Sequence, residues 1–294
     1  MMKLILIIFA LLLVGCGSTP YRDDYAKHVN LMKNSYFNES NFKFSFVENP
    51  HVDLRGQYSR NDTANASPIL YQGGAGLAGL LVQIGTHSTM VSAQRNEKLA
   101  IAQEQANQPI LPLINITKDI ALVDLIGEHK SQWTSLETID AKIVRIKPIF
   151  FSNKDMTELS IKAIVWLPKQ HKNSRKKQKF NYKNMIHIYG EKLNKLQQQK
   201  LIAGDEEFLT LQLAALLKTA ISIAKDDLTG RYAKNKTRTK TFFIDNGSGK
   251  KVIRGAVVAE KCGYKVIQDL HSWFIALPLL KTKTSIETDA VYQC

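Results

Sequence analysis

Apolar and polar residues alternate with period two in several short runs of this chain and with a period near 3.6 in one long one. In Asn41–Glu48 (NFKFSFVE), Phe42, Phe44 and Phe46 fall on one side and Lys43, Ser45 and Val47 on the other, which predicts a half-buried strand. The alternation returns from Ala141. Lys142–Phe151 sets Ile143, Arg145 and Lys147 against Val144, Ile146 and Pro148, and Pro148 points to a sheet edge or bend. Glu158–Leu167 and Phe180–Ile188 alternate cleanly, and the polar Pro168–Lys179 between them predicts a hairpin with a long tip. Asp205–Leu228 has helical spacing, with a wide apolar stripe through Leu209, Leu213, Leu217 and Ile223, so it is a core helix. Asp205 can cap its start, Glu206 and Glu207 suit the positive end of its dipole, and Gly230 follows its end. Thr239–Asp245, Val252–Glu260, Tyr264–Leu270 and Trp273–Leu277 are four further strands, with turns at Asn246–Gly249 and Cys262-Gly263. Helices in only two places favour an α+β fold: an antiparallel β-sheet, a long core helix and an N-terminal glycine-rich helical segment.

That glycine-rich segment is Gln72–Val91 (QGGAGLAGLLVQIGTHSTMV). Ala75 and Gly79 would share a smooth helical face, so Gly73, Gly76 and Gly79 are candidates for close packing on a partner or within the protein's own core. Ser88–Gln108 continues as a more polar helix that Pro109 stops. Asn61–Pro68 has loop composition.

At the N-terminus, Lys3 precedes the unbroken apolar run Leu4–Val14, which is too short for the roughly 20 residues of a bilayer span. It has the length of a secretory h-region. The following Leu13-Val14-Gly15-Cys16 resembles the lipobox of bacterial lipoproteins. The resemblance implies that residues 1–15 are a signal peptide and that Cys16 is lipid-modified, with acyl chains (palmitate among them) as a membrane anchor. One chain alone would hold marginally, and several make anchoring stable. Gly17, rather than Asp, follows the cysteine, which in the enterobacterial pattern implies sorting to the outer membrane, on its periplasmic face. The layout of the remainder loosely resembles proteobacterial outer-membrane lipoproteins of no settled activity. The chain then divides into the signal peptide 1–15, a tether 16–40, a glycine-rich and helical region 41–140, and a β-rich region 141–294 with core helix 205–228. The last two read as one compact body.

An exported location changes what the charge means. The net charge is +14. Within an envelope it argues against nucleic acid and for anionic lipid or an acidic envelope protein. The cations concentrate in one tip, Lys169, Lys172, Arg175, Lys176, Lys177 and Lys179, and in a second run, Arg231, Lys234, Lys236, Arg238 and Lys240. Such runs stay solvated, and each lysine near an anionic surface contributes about 1 kcal/mol. With Cys16 taken by lipid, Cys262 and Cys294 are left as a pair in an oxidising compartment, and we expect them to form a disulfide. The chain-entropy model gives that closure roughly 3–4 kcal/mol.

Signals for catalysis are weak. Gly247-Ser248-Gly249 lacks the full nucleophile elbow, and the histidines His28, His51, His87, His129, His171, His187 and His271 show no HExxH or zinc-finger spacing. No cofactor or metal site is indicated. The sequence therefore favours a non-enzymatic binding or assembly role in the cell envelope. Two alternatives stay open. An envelope enzyme acting on peptidoglycan or lipid would need two or three of His129, His187, His271, Glu128 and Asp269 in one cleft. A subunit of an oligomeric export complex, as in lipoproteins that secrete curli, would use the glycine-rich segment to join its neighbours.

Overall fold

The computed structural model describes residues 42–47, 49–58, 97–134, 143–168, 180–233, 237–245 and 250–279. The glycine-rich run with Gly73, Gly76 and Gly79, the basic tip Lys169–Lys179, Cys16 and Cys294 lie outside the described residues. The strands are β1 (Lys43–Phe46), β2 (Leu54–Gly56), β3 (Ile143–Ser152), β4 (Leu159–Pro168), β5 (Phe180–Tyr189), β6 (Lys240–Asp245), β7 (Lys250–Lys261), β8 (Tyr264–Asp269) and β9 (Phe274–Pro278). The helices are α1 (97–107), α2 (Leu111–Thr117), α3 (Lys195–Ile202) and α4 (Glu206–Leu228). The α+β class holds, and all nine strands join one sheet in the order β1-β3-β4-β5-β9-β8-β7-β6, with β2 also on β3.

The sheet is mixed rather than antiparallel. β1 and β2 both run parallel to β3, and β9 runs parallel to β5. Parallel neighbours need long connections. Between β5 and β9 the chain makes α3, α4 and the antiparallel β6–β7–β8, so the pairing partners are far apart in sequence. Pro148 illustrates the consequence. It sits mid-strand in β3, opposite Ala163 of β4. On the other side, β1 pairs only up to Ile146 and β2 only from Phe150. The missing proline N–H therefore falls in the gap between two short edge strands, where no ladder bond needs it.

Helix α1 ends at residue 107, just before Pro109 as the sequence suggested, but the helical path goes on. The chain passes through a 3-10 turn, Gln108–Ile110, into α2, with prolines 109 and 112 in the first turns of these two elements. A proline there removes an N–H that had no partner anyway. Helix α3 went unread in the sequence, although it carries a full capping box: the Asn194 side chain accepts from the Gln197 N–H, and the Gln197 side chain accepts from the Asn194 N–H.

Helix α4 lies against β4 and β5. Leu209, Leu213, Leu216, Leu217 and Ile223 pack with Ile161, Ala163, Val165, Ile186 and Ile188 in the main core. Asp205 caps it by accepting from the Phe208 N–H at 2.9 Å, and Gly230, at φ 75°, ends it in the left-handed conformation. By length and composition alone this helix could cross a membrane, but its apolar stripe is spent on the sheet. Its last turn holds two adjacent buried carboxylates where the dipole disfavours them. Asp226 accepts from Arg231 Nη1 (2.9 Å), Lys261 Nζ (2.5 Å) and the Tyr232 hydroxyl (3.2 Å). Asp227 accepts from the Tyr182 hydroxyl (2.6 Å) and from Asn184 Nδ2 (3.1 Å), which also donates to Ser272 O. The pair ties the end of α4 to β5, β7 and the β8–β9 turn.

Candidate functional site

Period-two alternation gives the sheet a second face, turned away from α4. On β5, Tyr182, Ile186 and Ile188 join the main core, so Lys183, Met185, His187 and Tyr189 point the other way. Cross-strand register carries this face outward: Lys162 opposes His187, His187 opposes Ile275, and Ile275 opposes Ile267. β7 is bulged between Val257 and Ala259, and bulged strands bend. Ile244 of β6 and Ile253 of β7 pack on Tyr189 and Ile275, so β6 and β7 close over β5 and β9 and make the face concave.

A pocket of about 230 Å³ lies in this concavity. Its floor is Met185 and His187 of β5 with Trp273 and Ile275, and its wall is Lys251–Arg254 of β7. The β8–β9 turn, Asp269–His271, closes it. The turn is held by Asp269, whose Oδ1 accepts from the N–H of His271 (2.8 Å) and of Trp273 (2.9 Å). Ser272 takes a φ of 66° to complete the reversal. The His271 and Trp273 rings lie 5.7 Å apart, so the turn presents one histidine at the rim and buries the indole beneath it.

Electrostatics set the protonation of these groups. His187 is 5% exposed and lies 4.1 Å, ring to ring, from Tyr189. Burial, and then the charges of Lys162 and Lys251, hold its pKa well below the usual imidazole value. At neutral pH it is an uncharged ring that can both donate and accept. Burial raises Asp269, against the N–H groups of Trp273 and His271 and the charges of His271 and Lys251. The pocket is thus lined by Lys251, whose charge acts on both His187 and Asp269, by Arg254, and by two imidazoles over an apolar floor. That set suits an anionic group attached to an apolar or planar body.

The structure brings three of the five candidates, His187, Asp269 and His271, into this one pocket, which is the convergence the envelope-enzyme alternative needs. His129 sits in the 3-10 turn Gly127–Gln132; its side chain and that of Glu128 lie outside the description. Among the described residues no group of three or more His, Cys, Asp or Glu gathers to hold a metal. Cys262 stands at φ 53° in the two-residue β7–β8 turn; its expected partner, Cys294, lies outside the described residues. The Cys262-Gly263 turn has positive φ at both positions, as a tight hairpin requires. Of the second basic run, Arg231 is engaged with Asp226, while Arg238 and Lys240 are exposed.

The sequence offers His187, His271 and Asp269 as candidates for one cleft but gives no sign of Met185, Lys251, Arg254 or Trp273 beside them. The one available signal was the β5 alternation, which puts a histidine on a face that already carries Met185 and Tyr189. What unites the pocket is the β5–β9 pairing, and no local pattern reports it. No family model matches this chain, and no curated protein or solved structure matches it either.

Proposed function

We propose that this protein is a lipid-anchored envelope lipoprotein whose body binds an anionic ligand in the pocket of its concave sheet face, a binding role rather than a catalytic one. The anchoring half rests on Leu13-Val14-Gly15-Cys16. The binding half rests on one observation: Lys251, Arg254, His187 and His271 all line one pocket with Met185, Trp273 and Ile275. A hydrogen bond to a charged group contributes about 1.5–3 kcal/mol, so the two β7 cations together would set the affinity.

Titration calorimetry on the full chain in detergent tests the reading, using galacturonate and hexanoate against galactose and hexanol. The anions should bind, more weakly as salt rises, and Lys251→Met/Arg254→Met should lower affinity by about tenfold or more. Equal affinity for neutral partners, or a folded double variant that binds unchanged, defeats it. For the anchor, mass analysis of the native product should show acylated Cys16; a bare cysteine with the leader attached would be fatal to that half. The basic tip remains part of the proposal as a grip on anionic lipid. Neutralising Lys172, Arg175, Lys176 and Lys177 together should weaken binding to anionic liposomes in a salt-dependent way.

The envelope-enzyme reading is favoured by one specific feature, the convergence of His187, Asp269 and His271. Against it, Asp269 Oδ1 is already engaged by two backbone N–H groups, and among the described residues no Ser, Thr or Cys lines the pocket. Release of soluble fragments from purified peptidoglycan, abolished by His187→Ala, would reverse the preference.

A further inference from the structure

The sheet face that carries the main core runs out to β6 and β7. Ile186 of β5 opposes Phe274 of β9, Phe274 opposes Gln268 of β8, and Gln268 opposes Ala256 of β7. Ile186 and Phe274 belong to the main core, with the apolar stripe of α4. Two and four residues back along β7, Arg254 and Val252 share the face of Ala256, and they oppose Thr241 and Phe243 of β6. All four are exposed, whereas Ile244 and Ile253 on the other face are buried against Tyr189 and Ile275. The hairpin therefore spends one side on packing and turns the other outward. Phe243 is 73% exposed and Val252 58%. Leu270, 61% exposed, lines the pocket together with Val252 and Arg254. Single exposed apolar residues are ordinary, but a directly opposed pair with a third beside it makes a patch. Cations border it: Arg238, Lys240 and Arg254 are all exposed. By sequence, residues 240–255 carry Lys240, Lys250, Lys251 and Arg254 against one acid, Asp245.

From this arrangement we infer that the outer side of the β6–β7 hairpin docks on an anionic lipid bilayer. Phe243, Val252 and Leu270 enter the interfacial layer, and Arg238, Lys240 and Arg254 meet the headgroup phosphates. The inference goes beyond the pocket reading, and it rests on the lipid anchor only in that an anchored body has a bilayer permanently within reach. Interfacial binding grows with the apolar area buried and with attraction to anionic headgroups, and this surface supplies both at one place. A phenylalanine and two aliphatic side chains gain by leaving water, and cations at their border lie within a Debye length of the headgroups they would meet. The position is suitable as well, since β6 is a terminal strand of the described sheet and its hairpin lies at a border of the body. A second copy of the chain fits this surface less well. A two-fold contact would set two hairpins of the same positive charge against each other, whereas an anionic bilayer complements them.

The test places an indole in the patch. Phe243→Trp is made in the full chain, and the native product is reconstituted in vesicles of phosphatidylcholine with or without phosphatidylglycerol, and with or without bromine on the acyl chains. The unsubstituted chain supplies the emission of Trp133, Trp166 and Trp273 for subtraction. In the anionic vesicles the added indole should emit at shorter wavelength and be quenched by the brominated chains. In phosphatidylcholine alone, or at high salt, it should do neither. Arg238→Gln/Lys240→Gln in the same background should lower the ratio of docked to undocked protein by about fivefold for each cation removed. If Phe243→Trp fails to fold, a nitroxide on Leu270→Cys reads the same immersion. An indole that emits as in water and stays unquenched in anionic vesicles overturns the proposal, and so does equal quenching in neutral ones. A concentration-dependent dimer in detergent that Phe243→Ser abolishes would assign the patch to a second copy instead. Phe243 does not line the pocket, so Phe243→Ser should bind galacturonate unchanged. Quenching at residue 243 with a bare Cys16 would keep the patch and sink the anchor, and an acylated Cys16 with an unquenched indole would do the reverse.

Discussion

Replacing Asp227 by Ala removes the acceptor on which the end of α4 is fastened. The carboxylate takes hydrogen bonds from the Tyr182 hydroxyl and the Asn184 amide, and all three residues are buried, at 7%, 5% and 0% exposure. Asn184 retains Ser272 O as a partner, but the Tyr182 hydroxyl loses the carboxylate that accepts from it. An orphaned buried hydroxyl costs about 1–3 kcal/mol, and the lost bond to a charged group about as much again. Relief of a negative charge at a helix C-terminus returns at most about 1 kcal/mol. The net expectation is a loss of about 3 kcal/mol, a fall in Tm of roughly 6–12 °C for a body of this size. Urea denaturation followed by far-UV circular dichroism and tryptophan fluorescence measures it. Tyr182→Phe should cost less, about 1–2 kcal/mol, because it removes the donor together with the need for a partner. The double variant should show coupling above about 0.5 kcal/mol. A single Asp227→Ala cost below about 0.5 kcal/mol, or additive effects, would refute the idea that this pair holds the helix to the sheet.

Three further outcomes are expected. A Cβ at Gly56 would sit 1.8 Å from the Ala106 carbonyl oxygen, so Gly56→Ala must separate β2 from α1 and break the Gly56 N–H bond to Asn107; hydrogen exchange should show both elements deprotected. His187 has a depressed folded pKa, so its contribution to stability is present above about pH 6.5 and declines as pH falls below that value, by no more than about 1.4 kcal/mol per pH unit. Asp269 is raised instead, so its effect has the opposite sign: stability falls as pH rises from its unfolded value toward its folded one, in a more acidic range. Chemical denaturation across pH should show the neutral-side decline, and a His187→Gln profile that still declines there would disprove the assignment. Finally, a non-reducing peptide map should join Cys262 to Cys294, and reduction should lower stability by roughly 3–4 kcal/mol; a Cys262 peptide joined elsewhere rejects the pairing.

The local elements were legible because their causes are local. The Phe42/Phe44/Phe46 alternation, the Asp205 cap, Gly230 after α4, and the Cys262-Gly263 turn each depend on residues within a few positions of one another. Each appears in the structure where the spacing put it. Helix α3 is equally local in origin, since its Asn194–Gln197 capping box spans four consecutive residues. Three matters had to wait for the tertiary structure. The parallel pairings of β3 with β1 and β2 and of β5 with β9 depend on which apolar edges meet after long connections, and turn chemistry is silent about those. The setting of Pro148 followed from them. So did the use of Asp226 and Asp227, which look misplaced at a helix end until Lys261 and Tyr182 arrive from elsewhere in the chain to join the neighbouring Arg231. The pocket belongs to the same class. His187 and Trp273 become neighbours only because two strands 88 residues apart lie side by side, since a sheet joins residues by register and a sequence orders them by number.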